Sequence, residues 1–149
     1  MALTIRNAEP ADYSRTIAVV DAWWGGRRMA GMLPRLFFVH FRETSFVAEE
    51  DGELEGFLCG FLSQTHPDEA YIHFVGVARE RRGTGLGRDL YERFFVAVRA
   101  SGRKVVRCVT SPLNEGSIAF HRSLGFDSEP GGEGYDGPGQ DRVLLVKRL

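Results

Sequence analysis

Cysteine is scarce in this chain of 149 residues, which contains only Cys59 and Cys108. The two are far apart and neither belongs to a C-x-x-C pair, which excludes a disulfide framework and a cysteine zinc site. The His, Asp and Glu residues do not show metal-ligand spacing either, so we expect no metal. So little cysteine suits a reducing compartment.

Excess charge and long apolar runs are also missing. The formal net charge is -1, so no general affinity for nucleic acid or an anionic membrane is predicted. The longest apolar runs are far shorter than a membrane span. The first ten residues, MALTIRNAEP, lack the basic segment and apolar stretch of a signal peptide. We therefore expect a soluble cytoplasmic protein without nucleic-acid or membrane partners.

The chain does contain enough apolar residues for one core. Hydrophobic residues make up 43% of it, and its length is typical of one domain, so we predict a single domain over residues 1–149. Local patterns predict a strand, two helical segments, three strands, a helix, a strand, a helix and a final strand. This order indicates an α/β or α+β domain in which helices flank a mixed sheet.

The segment Tyr71–Leu90, YIHFVGVARERRGTGLGRDL, combines a strand, a glycine turn and the start of a helix. Period-two alternation places His73 on the same strand face as Val75 and Val77. Apolar residues at helical spacing then predict a helix with one buried face. The first amides of a helix have no intrahelical partner, and its dipole favours negative charge there. The segment therefore predicts an anion site.

The glycine spacing distinguishes between kinds of phosphate site. The dinucleotide motif G-x-G-x-x-G fails because Arg88 stands where a third glycine should follow Gly83 and Gly85, and the triphosphate loop fails for want of a lysine. The pattern R-x-x-G-x-G is met by Arg82, Gly85 and Gly87. It resembles the pyrophosphate-binding motif of the GNAT superfamily of acyl-CoA N-acyltransferases. The R-x-x-G-x-G hexamer alone leaves open the alternative that its glycines only turn the chain.

A second segment, Asn114–Phe126, carries the same resemblance. Its sequence, NEGSIAFHRSLGF, is similar to the second GNAT motif, in which an asparagine opens a helix that ends before Gly-Phe. The resemblance covers residues 3–149 and is weakest over 23–42 and 127–140. It implies a single-domain GNAT-like α/β (α+β) fold, with a mixed, mostly antiparallel sheet of six to seven strands flanked by about four helices.

The resemblance also implies acetyl-CoA as cosubstrate. The backbone of Val75 and Val77 would pair with the pantetheine arm as an added strand would, and Asn114 would reach the pantetheine from the second helix. The diphosphate would bind the backbone amides of the glycine turn. These amides belong to Arg82, Gly83, Thr84, Gly85, Leu86, Gly87 and Arg88.

Two histidines are candidates for proton transfer. An alkyl amine, with a pKa of ~10.4, is mostly protonated at neutral pH and is then no nucleophile. His73 is the candidate base because its predicted strand face puts it beside Val75; the alternative is a buried core histidine. His121 stands where the family commonly has a tyrosine that protonates the leaving thiolate, and an imidazolium could take that role. Otherwise Tyr135 or water would supply the proton.

The parts least like the family are expected to select the acceptor, namely Trp23, Trp24 and Arg27 after the first helix and Tyr135 in the glycine-rich loop. Tryptophans favour an apolar wall and an arginine favours an acidic group, although core and surface roles are the alternatives. The resemblance implies direct N-acetyl transfer from acetyl-CoA to a primary amine of a small molecule or peptide. An acyl-CoA-binding module with little or no turnover, a longer acyl donor and a homodimer are left open.

Overall fold

The computed structural model describes residues 2–149, in which one seven-stranded sheet has the order β1-β2-β3-β4-β5-β7-β6. The strands are β1 (Thr4–Asn7), β2 (Phe46–Glu50), β3 (Glu53–Leu62), β4 (Glu69–Val77), β5 (Val105–Thr110), β6 (Asp127–Glu129) and β7 (Val143–Arg148). The α-helices are α1 (Asp12–Trp23), α2 (Leu86–Ala100) and α3 (Glu115–Ser123). Every strand pair is antiparallel except β4 with β5. The predicted fold class is confirmed.

The segment between α1 and β2 differs from the expected helices. It forms three 3-10 helices, Ala30–Met32, Arg35–Phe38 and Arg42–Thr44, so the described chain has three α-helices rather than about four. Pro34 is the reason for the first interruption, since it has no amide hydrogen and its backbone is extended, with ψ at 146°. Phe37 and Phe38 of this segment are core residues, and Phe41 is partly buried against them.

Two apolar clusters fill the two faces of the sheet. Residues of α2 pack with one face, and Phe120, Leu124 and Phe126 from α3 and the turn after it join the same cluster. On the other face, α1 and the 3-10 segment cover a second cluster that includes Phe57 and Phe74. Nowhere in residues 2–149 does a helix combine the length and the apolar character that crossing a membrane would need.

A bulge in β4 changes which side chains share a face. Phe74 pairs with Cys59 and Ile72 pairs with Gly60, so His73 is an extra residue without a partner on β3. The prediction that His73 shares a face with Val75 and Val77 was therefore wrong. His73 stacks on Phe37, with ring centroids 5.0 Å apart, in the layer of the 3-10 helices, whereas the two valines pack toward α2.

β4 and β5 pair over only three residues before they separate. The parallel register runs from Glu69 with Val105 to Tyr71 with Arg107 and continues no further. From Ile72 to Val77, β4 is therefore bonded to β3 on one edge and has no neighbouring strand on its other edge. The fold consequently leaves an unpaired strand edge in the middle of the sheet.

An ion-pair network fixes the start of α1 against the edge of the sheet. The Asp12 carboxylate accepts from both outer nitrogens of Arg6, at 2.9 Å each, and from Arg15 at 3.0 Å. It also accepts from the Glu9 amide at 2.8 Å. Burial raises the pKa of Asp12, but these hydrogen bonds, with that of Arg6 the strongest, outweigh it and leave the pKa below 3.8. Glu49 completes the network by pairing with both arginines.

We expect Asp12→Asn to lower the free energy of unfolding at pH 7 by about 2 kcal/mol, because it removes a buried charge partner from two arginines. A carboxyl with a lowered folded-state pKa adds stability above its unfolded pKa, and that stability is lost as the pH falls through the folded value. The difference between the wild type and the variant should therefore shrink below pH 3.8.

Urea unfolding at several pH values measures both effects. Asp68→Asn is the matched control, because Asp68 is exposed and forms no ion pair with any residue from 2 to 149. A difference between wild type and Asp12→Asn that stays constant from pH 7 to pH 2 would contradict the assignment.

Candidate functional site

A groove of about 920 Å³ opens where β4 leaves β5. It runs past the end of α1, the unpaired part of β4, the N-terminus of α2 and the first turns of α3. Its lining residues are Trp23, Trp24, Gly25, Val75, Gly76, Val77, Arg79, Arg81, Arg82, Gly83, Gly85, Gly87, Arg88, Tyr91, Asn114, Gly116, Ser117, Phe120, His121 and Ser123. Most of the residues singled out from the sequence therefore meet in one place.

The glycine turn presents free amides to this groove. Within the described chain, the backbone N–H groups of Gly83 and Gly85–Arg88 find no acceptor, and α2 has no side-chain cap at its N-terminus. Gly83 and Gly85 have φ values of 77° and 92°, which L side chains rarely adopt, and there is open space where each Cβ would stand. Such a turn suits an anion that approaches the backbone closely.

The arginines of the turn have different roles. Arg81 pairs with Glu50 at 2.8 Å and with Glu55 at 3.2 Å, so its charge is already compensated. Arg82 donates to the backbone carbonyl of Trp23 and thereby ties the turn to the end of α1. Arg79 and Arg88 are exposed in the groove and belong to no ion pair formed within residues 2–149.

The free edge of β4 exposes the backbone of Val75 and Val77. The Ala78 amide donates to the Glu55 carbonyl at 2.9 Å. This bond continues the β3–β4 register and shows that Ala78 and Glu55 form a hydrogen-bonded pair. Residues alternate along an antiparallel ladder between facing their partner strand and facing away from it. The N–H and C=O groups of Val75 and Val77 therefore point into the gap left by β5, where an extended ligand could pair with them.

Asn114 begins α3 as predicted. Its side-chain oxygen caps the helix by accepting from the Ser117 amide at 3.0 Å. Its amide nitrogen donates to no acceptor among residues 2–149, and the residue lines the groove. One half of the side chain is therefore structural, while the other half can bind a ligand.

His121 lies in the groove and is almost fully buried. Its Nδ1 is 2.7 Å from the carbonyl of Ser117, which can only accept, so Nδ1 carries a hydrogen. Its Nε2 lies 2.8 Å from the hydroxyl of Tyr91. Burial lowers the pKa of His121, and the bond to Ser117 raises it only in part. The side chain is therefore a neutral imidazole near pH 7, not the imidazolium that a direct acid requires.

Several predicted residues do not line the groove. His73 is the first; its Nε2 lies 2.6 Å from the carbonyl of Met32. Thr84 bonds back to Arg81 within the turn, and the Leu86 side chain is buried in the core, so only their backbone adjoins the site. Arg27 is exposed outside the lining, as is Tyr135, whose side chain is 49% exposed.

Trp23 and Trp24 both reach the groove, and Trp24 stacks on Phe74 with centroids 4.7 Å apart. They lie at the end of α1 because Gly25 and Gly26, both with positive φ, close the helix. Tyr91, Ser117, Phe120 and Ser123 also line the groove, and the sequence did not mark them as functional candidates.

Comparison with known proteins decides the family. The sequence model of one protein family, described as the acetyltransferase (GNAT) family, matches residues 7–126, which include both motifs. The chain belongs to the GNAT family. Its glycine turn, free β4 edge and asparagine-capped helix therefore occur in a GNAT chain.

Individual GNAT relatives differ in what they act on. The chain is 32% identical over 85 residues to an L-2,4-diaminobutyric acid acetyltransferase of Shouchella clausii, covering 57% of this chain and 48% of that protein. It is 37% identical over 91 residues to the 5-NmdU N-acetyltransferase of Pseudomonas phage PaMx11, and the match covers 59% of this chain and 62% of that protein. The matched part is thus less than two thirds of either relative's length.

A solved structure shares the whole fold. It is a diaminobutyrate acetyltransferase from Paenibacillus lautus, in complex with L-2,4-diaminobutyric acid and coenzyme A. The TM-score is 0.75 at 21% identity, covering 97% of this chain and 93% of that one. At this level of identity the likeness establishes the fold.

We expect His121 to titrate below 6.5 because its ring is buried. A ¹H–¹⁵N NMR titration of the histidine rings would give both the pKa and the tautomer of His121. A ring that is still doubly protonated at pH 7 would contradict the neutral state described above.

Proposed function

We propose that this chain is an acetyl-CoA-dependent N-acetyltransferase that moves an acetyl group directly to a primary amine. One observation carries the proposal. The unpartnered amides at the start of α2 and the unpaired edge of β4 open into the same groove. A diphosphate joined to a long arm that contains amides needs this combination.

Each part of acetyl-CoA has a matching surface. The diphosphate fits the free amides of Gly83 and Gly85–Arg88, whereas the Thr84 amide is bonded to Arg81, and Arg79 and Arg88 supply positive charge. The pantetheine arm fits the backbone groups of Val75 and Val77 and the free amide nitrogen of Asn114. The thioester then lies beside β4, where the Val77 amide can stabilise the oxyanion that forms when an amine attacks.

The acceptor is proposed to be an amine of a small molecule or a peptide. The named activities of the two relatives, acetylation of diaminobutyric acid and of 5-NmdU, support an amine acceptor. Trp23 and Trp24 line the groove near the free edge of β4 and would form an apolar wall against the acceptor. Arg27 and Tyr135 lie outside the lining and would contact only an acceptor that extends beyond the groove.

The two cysteines bear on where the protein works. Both cysteines are free and buried, which is compatible with a reducing compartment, so we place the activity in the cytoplasm. Nothing in the groove requires a second subunit, since residues of one chain supply the turn, the strand edge and the wall.

Gly85→Val should weaken acetyl-CoA binding at least ~100-fold, because its side chain would stand where the diphosphate approaches the amides. The matched control is Gly102→Val. Gly102 also has a positive φ, 76°, and open space around its Cβ, but it lies at the far end of α2. Both variants carry the same kind of backbone strain, of about 1–2 kcal/mol.

Isothermal titration calorimetry with acetyl-CoA separates the two variants, and thermal unfolding confirms that both are folded. Equal affinity in Gly85→Val and Gly102→Val would remove the diphosphate assignment.

The proposed reaction is tested by thiol release from acetyl-CoA over a panel of amines: L-2,4-diaminobutyrate, an alkyl amine, an aminomethyl nucleoside and a peptide N-terminus. We expect turnover with at least one of them and none with the corresponding alcohols.

A neutral, buried His121 in place of the family's tyrosine favours one second candidate, a module that binds acyl-CoA without turnover. Tight acetyl-CoA binding with no thiol release on any amine would identify that module and reject the enzyme.

A further inference from the structure

Three groups in the groove form a hydrogen-bonded chain that cosubstrate binding does not need. The Tyr91 hydroxyl, on α2, bonds to Nε2 of His121, on α3, and Nδ1 of His121 bonds to the Ser117 carbonyl one turn earlier in the same helix. Tyr91 and His121 are 3% and 6% exposed, yet both side chains line the groove. A buried polar chain that ends at a ligand groove can conduct a proton as well as hold two helices together.

We propose that Tyr91 and His121 form a proton relay for acetyl transfer, in which the Tyr91 hydroxyl contacts the reacting atoms and His121 stores the proton. This inference rests on the proposed function, since it assigns a role at the same site. It makes Tyr91 a catalytic residue, and it makes His121 a positioning and proton-storing residue that acts through Tyr91.

Tyr91 lies on the side of α2 that faces β4, along which the pantetheine arm is proposed to run. Tyr91 follows Gly87 by four residues, so both lie on the same face of α2. A Cβ on Gly87 would be 3.3 Å from the Phe120 ring and 3.9 Å from the Val77 side chain. The Tyr91 ring in turn contacts Phe120 at 5.3 Å. The phenol therefore lies one helical turn from the diphosphate turn, on the side of α2 that faces β4.

The proton balance closes without an external acid or base. A neutral amine attacks the thioester, and as the C–N bond forms, the nitrogen gives a proton to the Tyr91 oxygen while the original Tyr91 proton passes to Nε2 of His121. When the C–S bond breaks, its electron pair goes to sulfur. Tyr91 then gives its proton to the sulfur and regains one from Nε2. The products are the amide and coenzyme A, and the pair returns to its starting state.

The surroundings of the pair suit this resting state. Burial raises the pKa of Tyr91 well above 10, so the phenol keeps its proton, and burial lowers the pKa of His121, so Nε2 is free to accept one. The aromatic rings packed on the pair belong to Phe95, Phe120 and Phe126 and carry no charge. Besides the pair itself, Cys108 on β5 is the titratable group that acts on Tyr91, and burial raises its pKa to about 12.

The first test asks whether the pair senses the sulfur. Histidine ¹⁵N spectra of the wild-type protein are recorded with coenzyme A and with desulfo-coenzyme A, which lacks only the sulfur atom. If the relay contacts the thiol, the His121 nitrogen shifts differ between the two complexes. The His121 ring is the Nδ1–H tautomer in both. Identical spectra, or the Nε2–H tautomer, would overturn the proposal.

The second test is kinetic and uses Tyr91→Phe, His121→Gln and the double variant. We expect kcat to fall ~100-fold in each single variant while the KM for acetyl-CoA changes little. The double variant should be no slower than the slower single one, because both residues serve one relay. Tyr13→Phe is the control, since it removes a hydroxyl bonded to the Leu33 carbonyl on the opposite face of the sheet.

Additive losses in the double variant, or an unchanged kcat in Tyr91→Phe, would reject the relay. The spectra need no acceptor, so they decide whether the pair contacts the sulfur even if the wild type acetylates no amine. In that case the proposed function fails on the thiol-release assay, and the two failures are told apart.

Discussion

The separation of β4 from β5 after Tyr71 is the constraint on which the site depends. A sheet of seven strands normally pairs every inner edge, and an unpaired run of backbone groups in an apolar interior is costly. Here the cost is limited because the exposed edge opens into a groove rather than into the core. The same separation gives the start of α2 and the start of α3 access to one space, so the free strand edge, the free amides and the capped helix face one groove.

The His73 bulge determines what that edge offers. Without the extra residue, the alternation along β4 would turn the side chains of Val75 and Val77 to the layer of α1 and point their backbone groups toward β3. With it, the side chains pack against α2 and the N–H and C=O groups face the gap. One inserted residue therefore converts an ordinary ladder position into a surface for an extended ligand.

The sequence predicted the parts of the site that depend on local chemistry. A glycine turn before α2 and an asparagine at the start of α3 follow from residue type and spacing, and the structure has both. The face of His73 could not be predicted, because a bulge depends on how two strands pair and period two assumes that no residue is extra. Tyr91 was hidden for a related reason. It lies on the buried face of an amphipathic helix, where the apolar pattern indicates a core residue. Its hydroxyl has a partner only because α3 packs against α2.

A hydrogen bond joins the glycine turn at one end of the groove to the end of α1 at the other. Arg82 bonds to the carbonyl of Trp23, and the Asp21 carboxylate accepts from the amides of Met29 and Ala30, so the loop after α1 is held on both sides. Because Arg82 is committed to this contact, the proposed diphosphate would be compensated by Arg79, Arg88 and the α2 amides. The apolar wall of Trp23 and Trp24 and the anion turn are therefore joined by a hydrogen bond. The end of α1 and the glycine turn are consequently parts of one connected surface.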